Sequence, residues 1–219
     1  MLVALCDETI SYGERQVLAN VSLAVRSGER IALLGRSGAG KSTLLTQLYR
    51  RLASSEPAVA LVPQDDALVP ALSVYHNIYM GRLDARSAFY NLANLIRPRP
   101  CDVSEVRGFA GAVGLDDLWQ PAGTLSGGQK QRTAIARALS RGGPIVLADE
   151  PVSAVDVTQG GQILSALGAR FETVVIAMHD VDLAAGFATR IAGLKNGRIV
   201  FDGATGSIAR EQIQDLYAD

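Results

Sequence analysis

Two kinds of apolar spacing divide this chain. In Thr9-Ile10-Ser11-Tyr12 and again in Val21-Ser22-Leu23-Ala24-Val25 apolar and polar positions alternate, as in strands that bury one face, and they predict an antiparallel pair joined by turns. Four later runs are apolar throughout: Ile31-Ala32-Leu33-Leu34 in a strand Arg30 to Leu34, Ala58 to Val62, Ile145 to Ala148, and Thr173 to Met178. A strand covered on both faces needs such a run, so these four predict the centre of a parallel sheet. Spacings of three and four residues predict helices over Thr43 to Leu52, Lys130 to Ser140, Thr158 to Arg170, Leu183 to Thr189 and Ile208 to Tyr217. Lys195-Asn196-Gly197 reads as a hairpin turn.

From Ser73 to Leu115 the spacing is helical, at Val74, Asn77-Ile78, Phe89, Leu92 and Leu95-Ile96. Arg97-Pro98-Arg99-Pro100 breaks it, because proline cannot occupy a helix interior, and a helix resumes over Asp102 to Val113. Strands alternating with helices predict an α/β fold with a mostly parallel sheet. The expected organisation is a single domain over 1–219, with a core and small antiparallel lobe from 1–72 and 144–219, and a helical insertion over about 73–143.

Composition narrows the field. A chain of 219 residues that is 48% hydrophobic can bury a core of that kind. Its formal charge of -1 and lack of a basic run give no footprint for nucleic acid. No apolar run approaches the length of a membrane span and no signal segment is visible, so a cytosolic chain is expected. Cys6 and Cys101 lie far apart without metal-ligand spacing and read as reduced thiols.

The chemistry gathers where predicted strands end. Gly35-Arg36-Ser37-Gly38-Ala39-Gly40-Lys41-Ser42-Thr43 fits G-x-x-x-x-G-K-[ST] between a strand and a helix. Glycines let backbone N–H groups wrap phosphate oxygens, the helix N-terminus adds its dipole, Lys41 supplies a cation, and Ser42 a hydroxyl for Mg2+. Gln64, Asp149-Glu150 and His179 each follow another predicted strand, so four segments are placed to converge on one triphosphate. Asp149 is placed to hold Mg2+ and Glu150 to take a proton from an attacking water. Leu125-Ser126-Gly127-Gly128-Gln129 builds a second anion cradle at a helix start. One nucleotide does not need two cradles, and a dimer in which one chain's second cradle closes over its partner's phosphate loop resolves the surplus.

With these motifs the chain resembles the nucleotide-binding subunit of ATP-binding cassette (ABC) transporters over nearly its whole length. The resemblance rests on Walker A (Gly35 to Thr43), the Q-loop Gln64, the signature Leu125 to Gln129, Walker B (Ile145 to Asp149) with Glu150, the D-loop Ser153-Ala154-Val155-Asp156 and the H-loop His179. It implies a P-loop NTPase core with a helical signature subdomain, ATP and Mg2+ as ligands, and hydrolysis by Lys41, Gln64, Glu150 and His179. Ser42, Gln64 and Asp149 would organise the metal, Tyr12 would stack on adenine, and Asp156 would face nucleotide in the D-loop. The implied partners are a second copy in a head-to-tail dimer, transmembrane permease subunits docked on the helical insertion and Q-loop, and indirectly an extracytoplasmic solute-binding protein. That places the chain on the inner face of the cell membrane. Two departures stand out: Ser54-Ser55-Glu56-Pro57 replaces most of a longer link between Lys41 and Gln64, which should trim the antiparallel lobe, and Val155 and Val157 stand where leucine and proline are common. Leu68 to Val74, Gly81-Arg82-Leu83, Leu147 to Ser153 and Asp215-Leu216-Tyr217 look most like the phosphonate-importer branch. The alternative from another class is a regulatory ABC ATPase of the cell-division or lipoprotein-release type.

Overall fold

The computed structural model describes residues 1–55 and 58–218; Glu56 and Pro57 of the shortened link lie outside them. A two-stranded antiparallel sheet, β1 (Val3–Tyr12) and β2 (Arg15–Val25), opens the chain. A larger sheet holds β3 (Arg30–Leu34), β4 (Val59–Val62), β5 (Ile145–Asp149), β6 (Thr173–Met178), β7 (Arg190–Lys195) and β8 (Arg198–Ala204) in the spatial order β4-β5-β6-β3-β7-β8. All neighbouring pairs in it are parallel except β7 with β8. The helices are α1 (Lys41–Ser55), α2 (Val74–Tyr79), α3 (Ala88–Ile96), α4 (Pro100–Gly111), α5 (Gly127–Arg141), α6 (Val157–Arg170), α7 (Val181–Phe187) and α8 (Arg210–Tyr217).

The period of two sorts β3 between two cores. Ile31 and Leu33 join Leu44, Leu45, Leu48 and Leu52 of α1 and the inner face of β1 and β2, including Leu5, Leu18, Val21 and Leu23. Ala32 and Leu34 face the other way, onto a core shared by α2, α5 and α6. Helix α1 is therefore sandwiched between the small sheet and the large one, and the phosphate loop at its start is held from both sides.

Several boundaries differ from the sequence reading, each for a local reason. β1 and β2 are longer than the alternating stretches because their register shifts between Leu5 and Glu8, Glu8 and Ile10, and Ile10 and Ser11, which hides the alternation. Helix α4 starts at Pro100 rather than Asp102, since the missing N–H of proline costs nothing in the first turn, and it stops at Gly111. Helix α7 ends at Phe187, not Thr189, and starts early because the Asp180 carboxylate accepts from Leu183 N at 2.9 Å and caps it. Helices α1 and α5 begin before their apolar periodicity does, while α8 begins two residues after Ile208. The hairpin turn is the one expected: Asn196 and Gly197 both have positive φ between the paired Lys195 and Arg198.

Candidate active site at the carboxyl edge of the sheet

Strands β4, β5, β6 and β3 are consecutive neighbours, so the residues that leave their carboxyl ends lie side by side. The phosphate loop follows β3; crowding specifies its glycines at Gly35 and Gly40, while Gly38 stands in open space and is specified by its positive φ. At Gly40, φ is +105° and a Cβ would stand 2.7 Å from Leu18 Cδ2 and 3.1 Å from the Val17 carbonyl, which β2 presses against the loop. The Lys41 ammonium lies across the loop, donating to the carbonyls of Gly35 at 2.7 Å and Arg36 at 3.2 Å. A cavity of about 330 Å³ opens here, lined by Tyr12, Ser37, Lys41, Ser42, Gln64 and Glu150 among others. It also takes in Arg15 and Val17 of β2, which no sequence motif marks.

The acid pair divides by environment. Asp149 ends β5 and is 8% exposed. Burial pushes its carboxyl pKa up, the Ser42 hydroxyl opposes that, the Glu150 charge adds to it, and the Lys41 charge opposes again. Its Oδ1 is a buried acceptor without a hydrogen-bond partner among the described residues. An orphaned carboxylate oxygen beside a serine hydroxyl suits a hard divalent cation such as Mg2+. Glu150 turns the other way: its φ is +53°, a left-handed conformation rare for a non-glycine residue and held here by neighbours. Its N–H donates to the Ala177 carbonyl at 2.9 Å, and its carbonyl accepts from Gln131 Nε2 at 2.5 Å. That turn aims the carboxylate into the cavity, where Oε1 lies 3.6 Å from Lys41 Nζ and Oε2 lies 2.7 Å from His179 Nδ1. A carboxylate only accepts, so Nδ1 carries the proton of this bond.

Ser126 to Gln129 are elsewhere; none of them lines the phosphate cavity. Ser126 caps α5 in a reciprocal capping box, its hydroxyl accepting from Gln129 N at 3.3 Å and its own N–H donating to Gln129 Oε1 at 2.9 Å. Gly127 faces open space, whereas a Cβ on Gly128 would stand 2.8 Å from the Ala154 carbonyl, so the second glycine lets the D-loop seat against α5. Asp156 caps α6, accepting from Gln159 N at 2.9 Å, and does not line the phosphate cavity.

Gln131 and Arg137 carry no motif in the sequence, yet they hold the site. Gln131 reaches Glu150, Ser153 and Ala154; the Arg137 guanidinium donates to the carbonyls of Asp66 at 2.6 Å and Ala67 at 2.5 Å, left-handed residues two and three positions after Gln64. The available signal is the spacing of Gln131 on α5, a polar residue three, four and seven positions before the buried Ala134, Ile135 and Ala138; Arg137 has none.

The ABC transporter family pattern matches residues 18–153. A phosphonates import ATP-binding protein, PhnC, of Rhizobium etli is 34% identical over 96% of this chain and 84% of its own. Its counterpart in Thiobacillus denitrificans is 36% identical over 92% of this chain and 86% of its own. Among solved structures, the dimeric bacterial ABC transporter cassette MJ0796 superposes with a TM-score of 0.79 at 27% identity, covering 92% of this chain and 98% of that one. The same cassette in a dimeric post-hydrolysis state bound to ADP and Pi gives a TM-score of 0.76 over the same shares.

Proposed function

Because this chain belongs to the ABC transporter family, whose ATP-binding ATPase fold it has, we propose that it is the motor subunit of an importer for phosphonate or a related small oxyanion. The solute comes from the names of its relatives, and import over the regulatory alternative has the same support. The observation that carries the mechanism is the Glu150 carboxylate, turned by its left-handed backbone to stand between Lys41 and His179.

In this reading Tyr12 stacks on adenine at the mouth of the cavity and the phosphate loop wraps the phosphates. The Lys41 ammonium, now bonded to the loop's own carbonyls, turns to phosphate oxygens. Asp149 and Ser42, with Gln64, would hold Mg2+, which would supply positive charge to the phosphate oxygens. Glu150 accepts the proton of the attacking water, and His179, pinned to Glu150 through Nδ1, steadies the terminal phosphate. The far placement of Ser126 to Gln129 supports a head-to-tail dimer in which a second copy completes each site. Asp156 then contributes by fixing the D-loop at that junction.

A surface for the permease subunits is available on α3. Phe89, Leu92 and Ile96, at the i, i+3, i+7 spacing of one helix face, are 84%, 58% and 79% exposed. No helix among the described residues is long and apolar enough to cross a membrane, so this docking is what would hold the chain at the inner face of the cell membrane. The solute-binding protein would be reached only through the permease.

The test is Glu150→Gln. It is expected to keep ATP binding, to slow hydrolysis by roughly 100-fold or more, the scale of a lost general base, and to accumulate an ATP-bound dimer on size exclusion. Hydrolysis at the wild-type rate would refute the assignment of the base. Phosphonate-stimulated hydrolysis in the complex co-purified with its membrane partner tests the solute; no stimulation would refute it.

A further inference from the structure

The Asp215-Leu216-Tyr217 stretch bears on kinship in the sequence, but the fold seats it on the back of the hydrolytic site. Leu216 is 1% exposed in the core. Lys195, on the near side of the β7–β8 turn, donates its ammonium to the carbonyls of Asp215 at 2.6 Å and Ala218 at 3.0 Å. A cation on the last carbonyls both satisfies them and complements the helix dipole, so the end of α8 is docked rather than frayed. The turn that carries Lys195 is itself bonded to the phosphate loop, Gly197 N–H donating to the Ala39 carbonyl at 3.1 Å.

This docking inserts the half-buried Tyr217 between two of the loops that meet at the site. Its hydroxyl donates to the His179 carbonyl at 3.1 Å. Burial pushes the phenol pKa up, the Gly35 backbone opposes that by hydrogen bonding, and the charges of Glu150 and Asp180 add to it. Among the described residues, the His179 side chain, 61% exposed, is held at its ring by the bond from Nδ1 to Glu150. Its backbone is the other point at which it can be fixed, and Tyr217 is the side chain that grips it.

We propose that Tyr217 is a positioning residue for ATP hydrolysis: its hydroxyl fixes the His179 backbone relative to the phosphate loop, so that the imidazole stands against Glu150. The proposal rests on the assignment of His179 and Glu150 to hydrolysis. Tyr217→Phe keeps the ring and its packing and removes only the hydroxyl. Single-turnover hydrolysis by the full chain is expected to fall about threefold to tenfold, the scale of one hydrogen bond. The Kd for ATP should stay within about twofold and the melting temperature within about 2 °C, since the packing of α8 is kept. In a His179→Ala background the same change should cost less than about twofold, because its effect passes through His179. A wild-type rate for Tyr217→Phe, or an equal loss in both backgrounds, would overturn the positioning role. If His179→Ala alone hydrolysed normally, the assignment of His179 would fall and the proposal with it; a slow His179→Ala beside a normal Tyr217→Phe removes only the proposal.

Discussion

Asp149→Asn should make the nucleotide-free protein more stable and the Mg-ATP complex less so. The carboxylate lies 8% exposed with Oδ1 unpartnered among the described residues, and its raised pKa says that the charged form is the disfavoured one in the fold. An unsatisfied buried acceptor costs about 1–3 kcal/mol and a charged one more, while Ser42 and Lys41 return part of that here. Replacing the charge with a neutral amide of the same shape should therefore gain about 1 kcal/mol, or roughly 2–4 °C in melting temperature for a chain of this length. The pH dependence has a fixed sign. The unfolded chain releases this proton near the ordinary value of 3.8 and the folded chain above it, so the charge penalty is absent below 3.8 and grows as pH rises through the folded value. The advantage of the amide should thus be full at neutral pH and vanish toward acid. With Mg-ATP at 100 times its Kd the wild type gains about 2.7 kcal/mol, roughly 5–10 °C, and the Asp149→Asn variant should lose most of that gain with the metal. Differential scanning fluorimetry of both proteins without nucleotide from about pH 3.5 to 8, and with Mg-ATP near neutral pH, measures all of this. A nucleotide-free variant melting at or below the wild type at neutral pH refutes the desolvation reasoning, and an undiminished Mg-ATP shift refutes Asp149 as metal holder.

Gly128→Ala puts a Cβ 2.8 Å from the Ala154 carbonyl, so the D-loop must withdraw from α5. Dimer-dependent hydrolysis should fall at least tenfold, in line with an overpacking cost of about 1–3 kcal/mol, while ATP binding to the monomer in equilibrium dialysis stays unchanged. Tyr12→Ala should weaken ATP binding by about twofold to tenfold, the scale of one stacking contact, and Tyr12→Trp should restore it. Equal affinities for the wild type and both variants would remove Tyr12 from the adenine site.

Much of this architecture is legible because the large sheet is buried on both faces. A strand such as Ile145–Asp149 then has no polar position until it ends, so its first acids mark the carboxyl edge directly. The phosphate loop is legible for a similar reason: backbone that must surround an anion leaves a fixed spacing of glycines. The small sheet is legible only in fragments because irregular pairing at Asp7 and Glu8 breaks its alternation. Helix boundaries at α4 and α7 slip because a proline or an aspartate can open a helix that apolar periodicity starts later. Gln131, Arg137 and the role of Tyr217 escape a sequence reading for a different reason. Each works by bonding to the backbone of a distant segment, and a carbonyl partner leaves no trace in its own residue type.

Helix α5 shows what those backbone bonds achieve. At its first turn the capping box fixes Ser126 and Gln129, the residues that face a second copy in the proposed dimer. One turn on, Gln131 holds the Glu150 carbonyl, Ser153 and the Ala154 N–H, which ties the acid and the D-loop to the same rod. Near its other end Arg137 holds the carbonyls of Asp66 and Ala67, two and three residues after Gln64. A helix of 15 residues is about 22 Å long and bends little over that span, so a displacement at the signature end would reach the acid and the Q-loop together. In the proposed dimer, closure and the aim of Glu150 would then be one movement rather than two. The left-handed Glu150 is tied to this rod, because the Gln131 bond to its carbonyl comes from the helix that would face a second copy in the proposed dimer.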